Sequence, residues 1–443
     1  MEKIYGTCKS VFIEPSDCPK YVDQVVKVNG IIHKIREMSG FSFIILRTKK
    51  ELIQCVLDPG GYSDTRPCPP VHEGCAVIIQ GRAITDPRAV NGFEIRIENL
   101  EVLAQPVEPL PVVLNKKRLD LSLDTNLNYR PISLRNPIER AIFKVQEGIV
   151  RGFREFLFKQ RFTEIRSPKI VFAGAEGGAN VFRLDYFGQQ VFLAQSPQFY
   201  KQMMVGVYER VFEVAPVFRA EKHNTSRHLN EYISMDFEMG FIESFHDIMD
   251  METGALKYIF QLLKTDYQDE LNLLGAKIPD FEEIPAIKFK EAKELIANTY
   301  HRRITDWNDF DPEEEKLICQ YMLERYQSEF VFITHYPSKK RPFYAKDDPA
   351  DPGYTLSFDL LFRGLEVTTG GQRVHDYHEQ VAKMQKRGMN PEEFESYLMI
   401  HKYGIPPHGG LGIGLERMTM KVLGLDNVRN ACLFPRDMER VTP

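Results

Sequence analysis

The run EYISMDFEM, from Glu231 to Met239, alternates at every residue. Successive side chains of a strand point to opposite faces. Tyr232, Ser234, Asp236 and Glu238 therefore share one face, and Ile233, Met235, Phe237 and Met239 share the other. One face belongs in a core, and the other offers acids, a hydroxyl and a ring. The preceding stretch 211–219 reads as the incoming strand and puts Arg219 on the face of Val217 and Ala215. The loop 222–230 adds Arg227 and His228. Two readings compete for this hairpin. It is a solvated surface hairpin, or it is a cradle in which forked arginine donors hold phosphate oxygens and the Tyr232 ring stacks on a base.

Three further stretches carry chemistry. In SFDLLFRGLEVTTGGQR (357–373) a two-residue turn at Arg363-Gly364 sets Leu361 opposite Glu366 and puts Asp359 on the face of Glu366. Two such acids are an exposed pair or a site for a hard cation, because Mg²⁺ commonly takes one or two protein carboxylates and completes its shell elsewhere. In HGGLGIGLERMTMKVLGL (408–425), glycines 409, 410, 412 and 414 precede a helix with Gly424 as its C-cap. Either the helix packs tightly on a sheet there, or the backbone approaches an anion at a helix start, with Arg417 in the first turn. No Gly-Lys-Ser/Thr follows, so this is not a Walker loop. In LAQSPQFYKQMM (193–204), Gln195, Ser196, Gln198 and Lys201 interrupt apolar sequence, as a polar loop or as a carboxylate-ligand pocket.

The rest of the chain supplies scaffolding. Residues 1–105 contain five β-rich runs, at 24–36, 41–48, 52–57, 75–84 and 92–104, with Gly and Pro between them, which suits a small OB-type barrel. Residues 106–135 are Pro-rich and then basic, a linker whose Lys116-Lys117-Arg118 is a solvated run or an RNA contact. A helix opens at Asn136, with Pro137 in its first turn and Glu139 three residues on. Ile138, Ile142, Val145, Ile149, Phe153 and Phe156 then give it an apolar stripe over about 24 residues. The net charge of −5 argues against indiscriminate coating of nucleic acid. None of the seven cysteines forms a CxxC pair, so zinc and a disulfide framework are not indicated. The N-terminus has no apolar signal region, and no run of about 18 apolar residues suggests a membrane span. The expectation is a reduced, cytoplasmic protein.

Together the motifs resemble a class II aminoacyl-tRNA synthetase. The helix and strand of 136–168 resemble its first motif, FRAE…RHL…EY…MDFEMGF its second and GLGIGLERM its third. The barrel is similar to that of the aspartate, asparagine and lysine subgroup. GAEGGANVF (174–182), QSPQFYKQ, SMDFEM, QRVHDY and the terminal FPRDMERVTP resemble aspartyl-tRNA synthetases of the archaeal and eukaryotic type. The resemblance implies an α+β fold. A five-stranded OB-fold anticodon-binding barrel (1–105) and a linker (106–135) precede a catalytic domain (136–443), whose mainly antiparallel sheet is flanked by helices. It implies an aspartate pocket of Glu176, Gln198, Lys201, Asp236, Arg219, Thr369 and Arg373. Lys201 and Arg373 would take the side-chain carboxylate. It implies an ATP site of Arg219, Glu221, Arg227, His228, Leu229, Tyr232, Glu366, Gly414, Leu415, Glu416 and Arg417, with Arg219 and Arg417 catalytic. Mg²⁺ would be held by Glu366, Thr369 and Asp359, and the anticodon read by Phe43, Gln54 and Glu94. For Phe43, the barrel core is the competing placement.

The implied partners are aspartate, ATP, tRNA-Asp and a second copy of the chain through 136–168. The implied chemistry is aspartyl-adenylate formation followed by transfer to the terminal adenosine of the tRNA. Positioning and charge neutralisation would supply the rate. Three departures stand out. Thr369 replaces a usual serine, Ile31 stands where many relatives have Trp, and no lysine-rich extension precedes the barrel. An asparaginyl enzyme, a non-catalytic RNA-binding relative and an amide synthetase on the same fold are the rivals. Asp236 with its SMDFEM context, the retained Arg219, Glu366 and Arg417, and the barrel argue against them in turn.

Overall fold

Alternation in the first hundred residues closes a barrel. A computed structural model describes residues 12–49, 51–58, 70–89, 91–172, 180–222 and 225–442. Strands β1 (Val25–Glu37), β2 (Ser42–Arg47), β3 (Leu52–Leu57), β4 (Ala76–Thr85) and β5 (Phe93–Ala104) form a closed barrel in the order β1-β2-β3-β5-β4. Every neighbouring pair is antiparallel except β3 with β5. Val28, Ile32, Ile44, Leu46, Cys55, Ile79 and Ile95 fill the interior. Closure removes the exposed edges that five open strands would carry. This is the OB-fold expected from the strand spacing. The segment after the barrel also holds two short helices, Leu123–Asn128 and Arg130–Ser133. The Asn136 amide donates to the Leu114 and Lys116 carbonyls at 3.0 and 2.8 Å.

The chain divides into two compact units, Met1–Asn136 and Pro137–Pro443. The second is built on a sheet of eight strands. They are β6 (Thr163–Glu164), β10 (Arg210–Phe218), β11 (Glu231–Gly240), β12 (Ala286–Lys288), β13 (Phe330–Thr334), β14 (Ser357–Phe362), β15 (Leu365–Gln372) and β16 (His408–Gly414). Their order is β12-β13-β14-β15-β16-β11-β10-β6. Only the two outer pairings, β12 with β13 and β6 with β10, are parallel. Strands β7 (Ile170–Val171), β8 (Arg183–Tyr186) and β9 (Gln189–Leu193) form a separate small sheet, with β9 in the middle.

The apolar face of the large sheet makes the main core. Met235, Phe237 and Met239 of β11, Leu411 and Ile413 of β16, and Phe358, Leu360 and Phe362 of β14 point into it. The helix Pro137–Lys159 packs there through Val145, Ile149 and Phe153 of the stripe its sequence periodicity marks, and through Leu157, which lies deeper than the expected Phe156. The helix His246–Asp266 adds Ile248, Leu256, Ile259 and Leu263. Behind β13 and β14, on the opposite side, the helices Phe289–Thr299 and Pro312–Tyr326 enclose Val331, Ile333 and Leu361. A capping box between Asp311 and Glu314 starts the second of these, and Glu314 also takes the buried Lys293 ammonium at 2.6 Å. That pair fixes where the next residue, Glu315, stands.

One acid sits inside the main core. Glu252, on the helix His246–Asp266, is wholly buried, and neither of its oxygens makes a well-formed hydrogen bond. Burial pushes its carboxyl up to about 8, with Asp359 adding to the shift and Thr368 opposing it. The folded value lies above the unfolded one near 4.5, so stability is fully present below 4.5 and is lost as pH rises towards 8. We expect Glu252→Gln to flatten that slope. The variant should gain roughly 3 kcal/mol over the wild type between pH 5 and 8, measured by urea unfolding at each pH. An unchanged slope would contradict the burial assignment.

Candidate functional site

Register decides what the polar face of β11 meets. Ser234 pairs with Gly414, Asp236 with Gly412 and Glu238 with Gly410. A Cβ at residue 410 would stand 2.1 Å from the Phe237 carbonyl and 2.3 Å from Glu238 Oε2. One at residue 412 would stand 2.9 Å from Asp236 Oδ1. The glycines of β16 thus clear room for two buried carboxylates. The sequence suggested that they served helix packing or a backbone approach to an anion. They lie within a strand that runs directly into the helix Leu415–Leu423, with Gly414 at its N-cap.

The cleft above this strand pair encloses about 620 Å³. At its floor four charges interlock. Lys201, on the helix Gln198–Tyr208, donates to Asp236 Oδ1 and to the Leu411 carbonyl, both at 2.8 Å, and lies 3.5 Å from Glu238 Oε2. Arg373 donates through Nε to Glu238 Oε1 at 2.9 Å and through Nη2 to the Gly410 carbonyl at 2.9 Å. Burial alone would raise the Glu238 carboxyl, but Arg373 and Lys201 outweigh it and hold it below its ordinary value. Ser234 Oγ donates to Asp236 Oδ2 at 2.5 Å. The resemblance implies that Asp236 orients both cations, and neither cation is bare. Two carboxylates already balance them, and Glu238 rather than Asp236 is the acid that holds Arg373. Parity had placed Glu238 on this face without giving it a role. Beside the quartet, Gln198 is buried with an Nε2 that makes no hydrogen bond, and buried Gln195 has an unmatched Oε1. Unmatched polar atoms facing a cavity mark where a polar ligand would bind. Glu176 lies outside the described residues.

The other end of the cleft gathers the arginines. Arg219 lies 5.7 Å from the Tyr232 ring and 4.0 Å from Glu221 Oε1, and His228 Nε2 lies 3.6 Å from Glu221 Oε2. Arg417 donates to the Glu366 carbonyl at 3.1 Å and to the Arg227 carbonyl at 3.3 Å. Arg227 pairs with Glu315, a residue the sequence reading did not single out. Burial pushes the Glu315 carboxyl up to about 7, with Glu366 adding to the shift and Arg227 opposing it. Leu229 lines the cleft, as do Gly414 and Glu416. Both Glu416 oxygens accept the Ile233 N–H, at 3.2 and 3.1 Å, so this side chain ties its helix to β11. Burial pushes its carboxyl up to about 8. Leu415 is the exception among the nucleotide-site residues, because its side chain is buried in the main core and does not line the cleft.

The β14–β15 hairpin turns at Arg363 and Gly364, both with positive φ (48° and 76°), as a type I′ turn requires. Leu361 pairs with Glu366 as the spacing suggested, but a bulge follows, and Asp359 pairs with Thr369. The bulge turns Thr369 to the face of Glu366, so that its hydroxyl donates to Glu366 Oε1 at 3.1 Å. Burial would raise the Glu366 carboxyl, yet Arg417, Arg341 and Arg219 hold it below the ordinary range. An anionic carboxylate beside a hydroxyl, open to the cleft, fits the hard-oxygen preference of Mg²⁺. Asp359 does not share that opening. Arg341 contacts its Oδ1 at 2.8 Å while stacking 3.8 Å over the Tyr336 ring, and burial raises the Asp359 carboxyl to about 6. Among the described residues no group of three or more His, Cys, Asp or Glu is placed to hold a metal.

In the barrel, Phe43, Gln54 and Glu94 lie on the adjoining strands β2, β3 and β5. Their parity is opposite to that of interior Ile44, Cys55 and Ile95, so all three lie on the outer face, where Phe43 and Gln54 are half-buried and Glu94 is only 5% exposed. Gln54 donates to Glu94 at 2.9 Å, and Phe43 meets Phe41 edge-on at 5.1 Å. Phe43 is therefore not a core residue.

Comparison with known proteins follows the same lines. The family described as tRNA synthetases class II (D, K and N) matches residues 122–438, and the OB-fold nucleic acid binding domain matches 26–103. The chain is 46% identical to an aspartate–tRNA(Asp/Asn) ligase of Deinococcus radiodurans, over 96% of this chain and 98% of that protein. It is 39% identical to an aspartate–tRNA(Asp) ligase of Pyrococcus abyssi, over 94% of this chain and 96% of that protein. Among solved structures, asparaginyl-tRNA synthetase of Pyrococcus horikoshii with asparaginyl-adenylate superposes with a TM-score of 0.88 at 28% identity, covering 99% of this chain and 100% of that one. Aspartyl tRNA synthetase of Entamoeba histolytica gives 0.84 at 30%, covering 98% and 93%.

The glycine geometry predicts a graded series. Gly410→Ala meets backbone and should cost the most. Gly412→Ala meets only the Asp236 carboxylate and should cost about 1–3 kcal/mol, as overpacking does. At residue 414 the nearest atom is 3.7 Å away, so Gly414→Ala should cost only the poorer N-cap, about 1 kcal/mol or less. Urea midpoints of the three variants test the order. Equal losses would contradict it.

Proposed function

The chain belongs to the class II aminoacyl-tRNA synthetases of the aspartate, lysine and asparagine group, and on that premise we propose that it is an aspartate–tRNA ligase. It activates L-aspartate with ATP and transfers it to the 3′-terminal adenosine of tRNA-Asp. The observation that carries this reading is the buried quartet of Lys201, Arg373, Asp236 and Glu238, which opens into the same cleft as Arg219, Arg417 and Glu366.

The residues divide the work. Lys201 and Arg373 carry only donors. A carboxylate side chain presents only acceptors to this donor-lined floor, whereas a carboxamide must turn its NH₂ away or set donor against donor. That mismatch selects aspartate over asparagine. The unmatched Gln195 oxygen suits the substrate ammonium, and the resemblance implies that the Gln198 side-chain oxygen and Glu176 would join it. Glu221 and Tyr232 hold the adenine, with Tyr232 stacking on it. Arg219 binds the substrate carboxylate and the α-phosphate. An oxygen of the aspartate α-carboxylate attacks the α-phosphorus, and the bond to the bridging oxygen breaks so that pyrophosphate leaves with the electron pair. Arg219 and Arg417 stabilise the charge that develops on the phosphate oxygens. Arg227 and His228 hold the outer phosphates, and the tRNA hydroxyl then attacks the acyl carbon and releases AMP. Glu366 and Thr369 would hold Mg²⁺, which neutralises phosphate charge when bound. Asp359, held by Arg341, supports that site from behind.

Phe43, Gln54 and Glu94 present an aromatic ring and polar groups outward, which is what reading unstacked anticodon bases requires. We place the enzyme in the cytoplasm. No helix among the described residues is long and apolar enough to cross a membrane. A second reading has one observation in its favour. Relatives at 46% and 45% identity are named for both tRNA-Asp and tRNA-Asn, so this chain charges tRNA-Asn as well.

Two outcomes test these proposals. Pyrophosphate exchange should depend on aspartate and not on asparagine, and labelled aspartate should load transcripts of both tRNAs. Exchange driven by asparagine would refute the ligase reading, and loading of tRNA-Asp alone would refute the second. The helix Pro137–Lys159 also exposes Phe158 beside the half-buried Phe143 and Val150, and we propose that this face joins two copies. Light scattering should give twice the chain mass, and Phe158→Asp with Val150→Asp should give a monomer. A monomeric wild type would end the dimer proposal.

A further inference from the structure

Glu315 stands behind the phosphate end of the cleft without lining it. It comes from the helix Pro312–Tyr326, in the segment between β12 and β13, far in sequence from the three motifs. Its Oε2 takes the Arg227 guanidinium, and the same oxygen accepts the Glu366 N–H at 3.2 Å. Arg417 bonds the carbonyls of both Arg227 and Glu366. Three residues assigned to the nucleotide are thereby tied around one buried carboxylate. Arg227 lies in the loop between β10 and β11, and it lines the cleft with a buried Nε that makes no hydrogen bond. A long side chain on a loop loses substantial rotamer freedom when a ligand orders it. A fixed carboxylate behind it removes that loss from the binding step. The helix is itself fixed by its capping box and by the buried Lys293–Glu314 pair.

We propose that Glu315 is a positioning residue for the nucleotide, holding Arg227 so that its guanidinium meets the outer phosphates of the bound triphosphate. The proposal rests on the reading of this cleft as an ATP site. It also gives the β12–β13 segment a part in activation.

The test uses the full chain with Glu315→Gln, Arg227→Ala, the double variant, and Glu313→Gln on the same helix as control. Gln at 315 can still accept the Glu366 N–H, but it loses the charge that holds Arg227. Glu315→Gln should raise the KM for ATP about tenfold, the size of one charge-assisted contact. It should leave the KM for aspartate within about twofold and the thermal midpoint near that of the control. Arg227→Ala should act alike, and the double variant no more strongly than Arg227→Ala alone. An unchanged KM for ATP in Glu315→Gln would overturn the proposal. So would parallel rises in both KM values with a lowered midpoint, or additive effects in the double variant. Calorimetric titration with ATP reads the same difference without turnover. If the wild type binds no ATP, the reading of the cleft fails. If it binds ATP and Glu315→Gln binds equally well, the positioning role alone fails.

Discussion

Two cations and two carboxylates, almost out of reach of water, set the terms for the catalytic unit. Lys201, Arg373, Asp236 and Glu238 are each 5% exposed or less. Charges so deep are tolerable only when paired and hydrogen-bonded, and removing one partner of such a pair costs about 3–5 kcal/mol. They come from the helix Gln198–Tyr208, from β11 and from the residue that follows β15, and the Leu411 and Gly410 carbonyls of β16 complete their bonds. The quartet can form only if β16 lies against β11 in one register and has no side chains at 410 and 412. The glycine-rich strand and the alternating strand are two halves of one device.

Under the proposed function, the quartet also accounts for one cleft taking two unlike substrates. Its own charges balance, so the floor is a set of fixed donors that suits a small carboxylate. The opposite end has Arg219, Arg227 and Arg417 around the carboxylate of Glu366, which suits a polyphosphate and a cation. On the proposed reading, the α-carboxylate of the first substrate and the α-phosphorus of the second meet between them. Such a site needs no side-chain nucleophile. Preorganised charge does the chemistry.

Much of this was legible in the chain. The parity of 231–239 predicted the core and cleft faces of β11, and strand spacing predicted the barrel. The Arg363-Gly364 dipeptide predicted the turn and the Leu361–Glu366 pairing. What escaped was non-local or depended on a local irregularity. The bulge opposite the Leu360–Leu361 step aligns Thr369 with Glu366, three residues apart, where strict alternation would separate them. Arg341 arrives from a loop and engages Asp359, which the sequence had grouped with Glu366 as a metal ligand. Glu315 is one of three consecutive acids at a helix start, and only the fold shows which of them faces Arg227. Glu238 was in view on the correct face, but burial, not spacing, reveals that it holds Arg373.

The central claim is that a single cleft holds the amino acid at its charged floor and the nucleotide at its arginine end. Equilibrium titration with a non-hydrolysable aspartyl-adenylate analogue addresses it most directly. The account predicts one molecule bound per chain, displaced by aspartate and by ATP alike. Displacement by only one of the two, or unhindered binding of both beside the analogue, would contradict it.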